Sequence, residues 1–167
     1  MRGLAPRWIR AFSVVELMIV VTIIGIVAAM ARPAFLRLLV HVRGNAQMND
    51  FRVFAAAFSQ YAHTNGAYPA SFTTAGGFPA VMNGLINRSQ WQRRAPIGGN
   101  YSFLKDNTIG GVRYRALLRV NGTGAAARSF TSAQLLQLDK RVDNNSLTSG
   151  LLITNGAALN TFYVVEQ

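Results

Sequence analysis

Ala11-Phe12-Ser13-Val14-Val15-Glu16-Leu17, running on through Met18-Ile19-Val20-Val21-Thr22-Ile23-Ile24-Gly25-Ile26-Val27-Ala28-Ala29-Met30-Ala31 to Arg32-Pro33, is the stretch that decides the fold. Ahead of it stand Arg2, Arg7 and Arg10 and no acid. Positive charge before an apolar run holds the N-terminus on the cytoplasmic side. A spanning helix needs roughly 17–25 apolar residues. Leu17–Ala31 alone is short of that, and Phe12–Leu36 is long enough. Glu16 then falls inside the span, where a carboxylate costs about 2.5–3.5 kcal/mol even on the gentler insertion scale. A charge kept at that cost points to a partner or a function; the plain alternative is a side chain at headgroup level.

Beyond Pro33 the pattern turns amphipathic. Phe35, Leu38, Leu39, Val42 and Ala46 recur at helical spacing, and Phe51, Phe54, Ala55, Phe58 and Ala62 continue it. Arg37, His41, Arg43, Asn45, Gln47 and Asp50 fall mostly on the other faces, and Gly44 is a weak point. One helix from about Phe12 to His63 follows, ended by Asn65-Gly66. Val53, Ala56 and Ala57 widen its apolar stripe. Either neighbouring subunits cover the extra width, or the core face is merely broad.

The N-terminal motif resembles the cleavage and methylation segment of the prepilin family, the type IV pilins and type II secretion pseudopilins. There a basic leader ends in a small residue, usually Gly, and a dedicated peptidase cuts before Phe or Met. A Glu stands fifth in the mature chain. Cleavage between Ala11 and Phe12 makes Glu16 the fifth residue, with Ala11 in the usual Gly position. Phe12-Ser13-Val14-Val15-Glu16-Leu17 is similar to the family's Phe-Thr-Leu-x-Glu-Leu, and Pro33 falls where many members have a helix-kinking proline. Tyr61-x-His63-x-x-Gly66-x-Tyr68-Pro69 is similar to the pseudopilin exit from the long helix. The rival readings of the N-terminus are a secretory signal peptide cut after Ala29-Met30-Ala31 and a plain uncleaved anchor.

The resemblance implies a leader over 1–11, a transmembrane assembly helix over 12–35 and a head over 36–167 that includes the second half of the long helix. It implies N-methylation at Phe12 and pairing of Glu16 with the free amine of Phe12 on the adjacent subunit. In low-dielectric surroundings such a pair is worth far more than in water. The implied partners are prepilin peptidase, other pilin or pseudopilin subunits and an inner-membrane assembly platform. The implied location is the inner membrane, single-pass, with the N-terminus cytoplasmic and the head periplasmic before incorporation into a pilus or pseudopilus.

After the helix, residues 70–100 form a loop rich in Gly, Ser, Thr, Asn and Pro, with a short helix over Pro79–Asn87. Trp91-Gln92-Arg93-Arg94 is a basic aromatic spot, and Ala95-Pro96-Ile97-Gly98-Gly99-Asn100-Tyr101 turns into a strand. Strands are expected over Asn100–Leu104, Val112–Val120, Gly150–Thr154 and Thr161–Glu166, and a helix over Thr131–Asp143 capped by Thr131 or Ser132. A long helix against a small antiparallel sheet is an α+β fold, pilin-like.

Lys+Arg number 17 against 6 Asp+Glu, a net charge of +11. Such an excess suits an anionic membrane surface, an acidic partner or nucleic acid. Arg93, Arg94, Arg113 and Arg115 are the candidate nucleic-acid contacts, with Arg119 and Arg128 behind them; a solvated basic face is the plainer reading. The chain has no cysteine, which excludes disulfides and thiolate metal sites. Many pilins staple their C-terminal region with a disulfide, so its absence favours the pseudopilin over the surface or competence pilin. No cofactor is expected. The segment Asp143-Asn144-Asn145 offers oxygen ligands for calcium, but turn chemistry accounts for it unaided, and Lys140 and Arg141 would repel a cation. Two histidines and six scattered acids compose no catalytic motif, so an enzyme is not expected. A binding domain on a plain anchor is the remaining alternative.

Overall fold

The computed structural model describes residues 13–122, 129–155 and 160–167. The leader, Ala11 and Phe12 lie outside the described residues, as does Arg128. Helix α1 runs Val14–Asn65 with Pro33 inside it. Pro33 has no N–H, so the carbonyl four residues back loses its helical partner. At the far end, Thr64 Oγ1 and Asn65 Nδ2 donate to the carbonyls of Gln60 and Tyr61 at 3.0 and 2.9 Å. Both are bonds back to the carbonyl four residues earlier, which adds a side-chain donor to acceptors already inside the helical ladder.

The chain divides into two compact units, residues up to Leu39 and Val40–Gln167. In the first, every described residue from Ser13 to Leu38 is exposed, although nearly all of Leu17–Ala31 is apolar. A helix apolar all round belongs in a membrane or inside other protein. By length and composition this one can cross a membrane.

The second unit is the head. Helix α2 is Arg88–Gln92, and strands β1 (Asn100–Ile109) and β2 (Val112–Asn121) form a hairpin. Helix α3 (Ser132–Val142) follows, then β3 (Leu152–Asn155) and β4 (Asn160–Glu166). The sheet order is β1-β2-β4-β3, antiparallel throughout. This is the α+β architecture expected.

The sheet alternates two faces. Tyr101, Phe103, Leu118, Val120, Leu152 and Tyr163 join Phe51, Phe54 and Phe58 of α1 in the main core. Phe58 stacks on Phe103 with centroids 4.0 Å apart, and Phe51 on Tyr163 at 5.2 Å. Leu104, Leu117, Ile153 and Phe162, one residue out of phase, form a second cluster with Tyr114. Tyr114 and Leu117 are three apart and would face opposite ways in a regular strand. Between the pairs Lys105–Ala116 and Asn107–Tyr114, Asp106 takes φ +52°, so the hairpin departs there from regular strand geometry. The register shift beside Ala116 and Leu117 instead puts its extra residue, Val165, on β4.

The hairpin closes from Ile109 to Val112 on Gly110-Gly111, both at positive φ (58° and 84°), the backbone a two-residue hairpin turn requires. That turn lengthens β1 to Ile109, past the Leu104 expected from apolar alternation. Polar Lys105, Asn107 and Thr108 are held in the ladder by β2. Outside the sheet, the backbones of Phe72 and Phe103 exchange two hydrogen bonds of 2.8 Å, and Lys105 N–H donates to Ser71 Oγ at 2.9 Å. At Gly99, φ is +94°, and a Cβ would lie 2.7 Å from the Asn121 carbonyl oxygen.

Three local expectations change. The helix over Pro79–Asn87 is instead a single 3-10 turn, Ala80–Met82, followed by α2, which Asn87 caps by accepting from Gln90 N–H at 3.2 Å. Gly44 is no weak point in α1: a Cβ there would meet Leu138 Cδ1 at 3.2 Å, so glycine lets α3 and Phe130 close on the helix. Gln47 and Asp50 are buried, not on a solvent face. For α3 the expectation holds. Thr131 Oγ1 accepts from Gln134 N–H and Gln134 Oε1 accepts from Thr131 N–H, a reciprocal capping box.

Candidate functional site

The apolar first unit carries Glu16, the residue that the N-terminal motif marks as a candidate for assembly. Glu16 lies in the first turn of α1, where a carboxylate complements the unpaired N–H groups and positive dipole end. It is exposed, as are Val14, Val15, Leu17 and Met18 around it. Leu17 N–H bonds the Ser13 carbonyl at 3.2 Å, so the helical ladder already begins ahead of Glu16. Thr22 Oγ1 returns its proton to the Met18 carbonyl at 2.7 Å, which removes a polar group from the apolar surface. An exposed carboxylate on an otherwise apolar rod is available to accept a cationic or N–H partner from another molecule.

Within the head, α1 brings a second carboxylate inward. Asp50 is 1% exposed. Its Oδ2 accepts from Tyr101 OH at 2.6 Å and from Arg93 Nη2 at 2.7 Å. Its Oδ1 accepts from Gln90 Nε2 at 2.8 Å. Burial and the neighbouring Asp50 carboxylate push the Tyr101 hydroxyl far above its ordinary pKa, so it remains a donor. This network joins α1, α2, the segment after α2 and β1. From sequence, Asp50 falls among the polar residues of the other helix faces because it is charged. The recoverable signal was its spacing of one residue from Phe51 and four from Phe54 on the stripe that meets the sheet.

The arginines singled out from sequence do not converge. Arg93 is tied to Asp50, Arg113 pairs with Asp106 at 3.4 Å, and Arg115 pairs with Glu166. Arg119 donates to Ser102 Oγ at 3.0 Å, and burial lowers its pKa. Arg94 is exposed next to Arg93. Trp91, the aromatic of that basic spot, is only 1% exposed and packs against Phe54 and Phe58. Arg115, Glu166, Tyr68, Ser59 and His63 line a cavity of about 210 Å³ at the end of α1. Burial raises the Tyr68 pKa there.

The turn after α3 is built on hydrogen bonds to its own backbone. Asp143 Oδ2 accepts from Leu151 N–H, and Asn144 Oδ1 accepts from Ser146 N–H at 2.9 Å. Asn145 sits at φ +60°, a conformation Asn tolerates. Asp139, wholly buried, accepts from Ser146 N–H at 2.7 Å. One Asp143 oxygen and the Asn144 side-chain oxygen thus accept from N–H donors of the turn itself. Among the described residues no three His, Asp or Glu side chains gather as a metal site.

No family model matches the chain. The fimbrial protein EcpC of Eikenella corrodens is 36% identical over 75 residues, 45% of this chain and 48% of that protein. The chain thus matches about half the length of this curated relative. In fold, it is similar to the major type IV pilin PilA1 of Clostridium difficile. The TM-score is 0.53 at 19% identity, covering 77% of this chain and 97% of that one. The fold of the chain is thus pilin-like, a long N-terminal helix with a small antiparallel four-stranded sheet.

Proposed function

We propose that the chain is a structural subunit of a membrane-derived filament, a pilus or pseudopilus, assembled through its N-terminal helix. The observation that carries this reading is an apolar, wholly exposed helical segment bearing one carboxylate near its start, joined to a pilin-fold head. The subunit waits in the inner membrane with its N-terminus cytoplasmic. Prepilin peptidase cuts between Ala11 and Phe12, and the new amine is methylated. An inner-membrane platform then stacks the helices, with Glu16 meeting the Phe12 amine of a neighbour. Pro33 removes one backbone hydrogen bond of the helix just after the uncharged run. The role is structural, not catalytic.

Between the filament classes, the cysteine-free chain favours a type II secretion pseudopilus. A surface pilus is favoured by the fimbrial and pilin names of the two similar proteins. DNA contact is a minor role on either reading, because Arg93, Arg113 and Arg115 already hold carboxylates.

N-terminal sequencing and intact mass of membrane-extracted protein test the processing. The expected terminus is Phe12 carrying one methyl group. A terminus at Arg32 would establish a secretory signal, and Met1 in cells with active peptidase a plain anchor. Deleting the gene and assaying sheared filaments and secreted protein separates the two filament classes.

A further inference from the structure

We propose that Arg32 and Arg37 form a collar that binds anionic phospholipid headgroups in the leaflet at the C-terminal end of the apolar span. The inference rests on the membrane-anchored reading above. Between Glu16 and Asp50 the sequence holds no acid, so nothing on this part of the helix neutralises the two arginines. Both are exposed, and among the described residues neither has an ion-pair partner.

Their depth fits headgroups. Arg32 follows the last residue of the uncharged run directly. Five residues at 1.5 Å rise place Arg37 about 7.5 Å farther along the axis. The interfacial region on each side of the hydrocarbon core is about 5–8 Å thick. The pair therefore brackets that layer. Phe35, Leu36 and Leu38 around them are 59%, 53% and 56% exposed. Such bulky apolar side chains suit the boundary between acyl chains and headgroups, not open water, while arginine stems snorkel and keep the charge at phosphate level.

The angular placement favours lipid over a protein partner. At about 100° per residue, Arg32 and Arg37 project about 140° apart. A single protein partner binds one face of a helix, whereas lipid surrounds the unassembled subunit, so each arginine reaches a separate headgroup there. A guanidinium presents its fork to a phosphate bidentately.

The full chain is reconstituted in phosphatidylcholine vesicles containing a minority of phosphatidylglycerol. Association of spin-labelled phosphatidylglycerol and phosphatidylcholine with the protein is then compared. We expect preference for the anionic lipid, reduced about fivefold by each of Arg32→Gln and Arg37→Gln, as ~1 kcal/mol per basic residue at an anionic surface implies. Arg32→Lys keeps the charge but not the fork and retains part of it, Arg52→Gln in the head leaves it unchanged, and high salt weakens it. Equal association of both lipids with the wild-type chain, or a loss as large in Arg52→Gln, overturns the collar while leaving the membrane anchor in place. Failure of the chain to co-float with vesicles of any composition overturns the collar and the anchor together.

Discussion

The Asp50 carboxylate lies 2.6 Å from the Tyr101 hydroxyl, and Arg93 closes on the same oxygen at 2.7 Å from a half-exposed position. Asp50 itself has almost no contact with solvent. If Arg93 served mainly to contact nucleic acid, its removal would leave the fold unaffected. The geometry predicts otherwise. Arg93→Ala strands a buried carboxylate on two neutral donors, and losing one partner of a buried pair costs about 3–5 kcal/mol. The half-exposed guanidinium places the expected loss at the low end, about 3 kcal/mol. Urea denaturation of the head measures it. A midpoint unchanged in Arg93→Ala would show that the pair carries no stability.

Glu16 calls for the opposite separation of effects. Glu16→Ala removes a charge from the span, so membrane insertion is expected to be at least as efficient, while incorporation into filaments falls sharply. Fractionation measures the first and shearing the second. Wild-type filament yield in the variant would remove Glu16 from the assembly mechanism.

The head is expected to fold without the first unit. Residues 40–167 keep Val40 on the core and Gly44 against Leu138 and Phe130. A fragment starting at Asn45 exposes the α3 surface that Gly44 covers and is expected to melt lower. Circular dichroism melts of the two fragments decide, and identical melting temperatures would mean that the Gly44 contact is dispensable.

Asp139 carries a pH signature. Burial, first among the causes, raises its pKa above the ordinary 3.8, partly offset by the Ser146 N–H. A raised folded-state pKa means that the protonated form is favoured in the fold. Its contribution is therefore fully present below pH 3.8 and is lost as pH rises through the folded pKa. Asp139→Asn retains an acceptor for Ser146 and cannot ionise. Relative to wild type, the variant is expected to gain stability as pH climbs from about 4 toward neutrality. Denaturation at a series of pH values checks this, and a constant difference would contradict it.

The elements that were legible from sequence are those whose signals are local. The apolar run, the Asn65-Gly66 stop, the Thr131 cap and the turn through Gly98-Gly99 each depend on a few adjacent residues, and each appears in the fold. Gln47 and Asp50 were misread because their burial is compensated by Gln90, Arg93 and Tyr101, 40 to 54 positions away. Gly44 reads locally as a poor helix former, and only the docking of α3 shows why no side chain fits there. Similarly, the extension of β1 beyond Leu104 comes from its partner strand and not from its own polar residues. Charge counting found the arginines; which of them were already bound to carboxylates required the tertiary structure.

The two hydrogen bonds between Phe72 and Phe103, with Ser71 Oγ on Lys105 N–H, occupy outward-facing groups along the free edge of β1. The opposite edge, β3, is only four residues long. Open sheet edges template the addition of further strands, and short or covered edges suppress it. Subunits crowded into an array stand at very high local concentration, where an unguarded edge would fuse heads into a continuous sheet and trap the polymer irreversibly. With one margin covered and the other only four residues long, a head can touch another copy of itself without exchanging main-chain bonds.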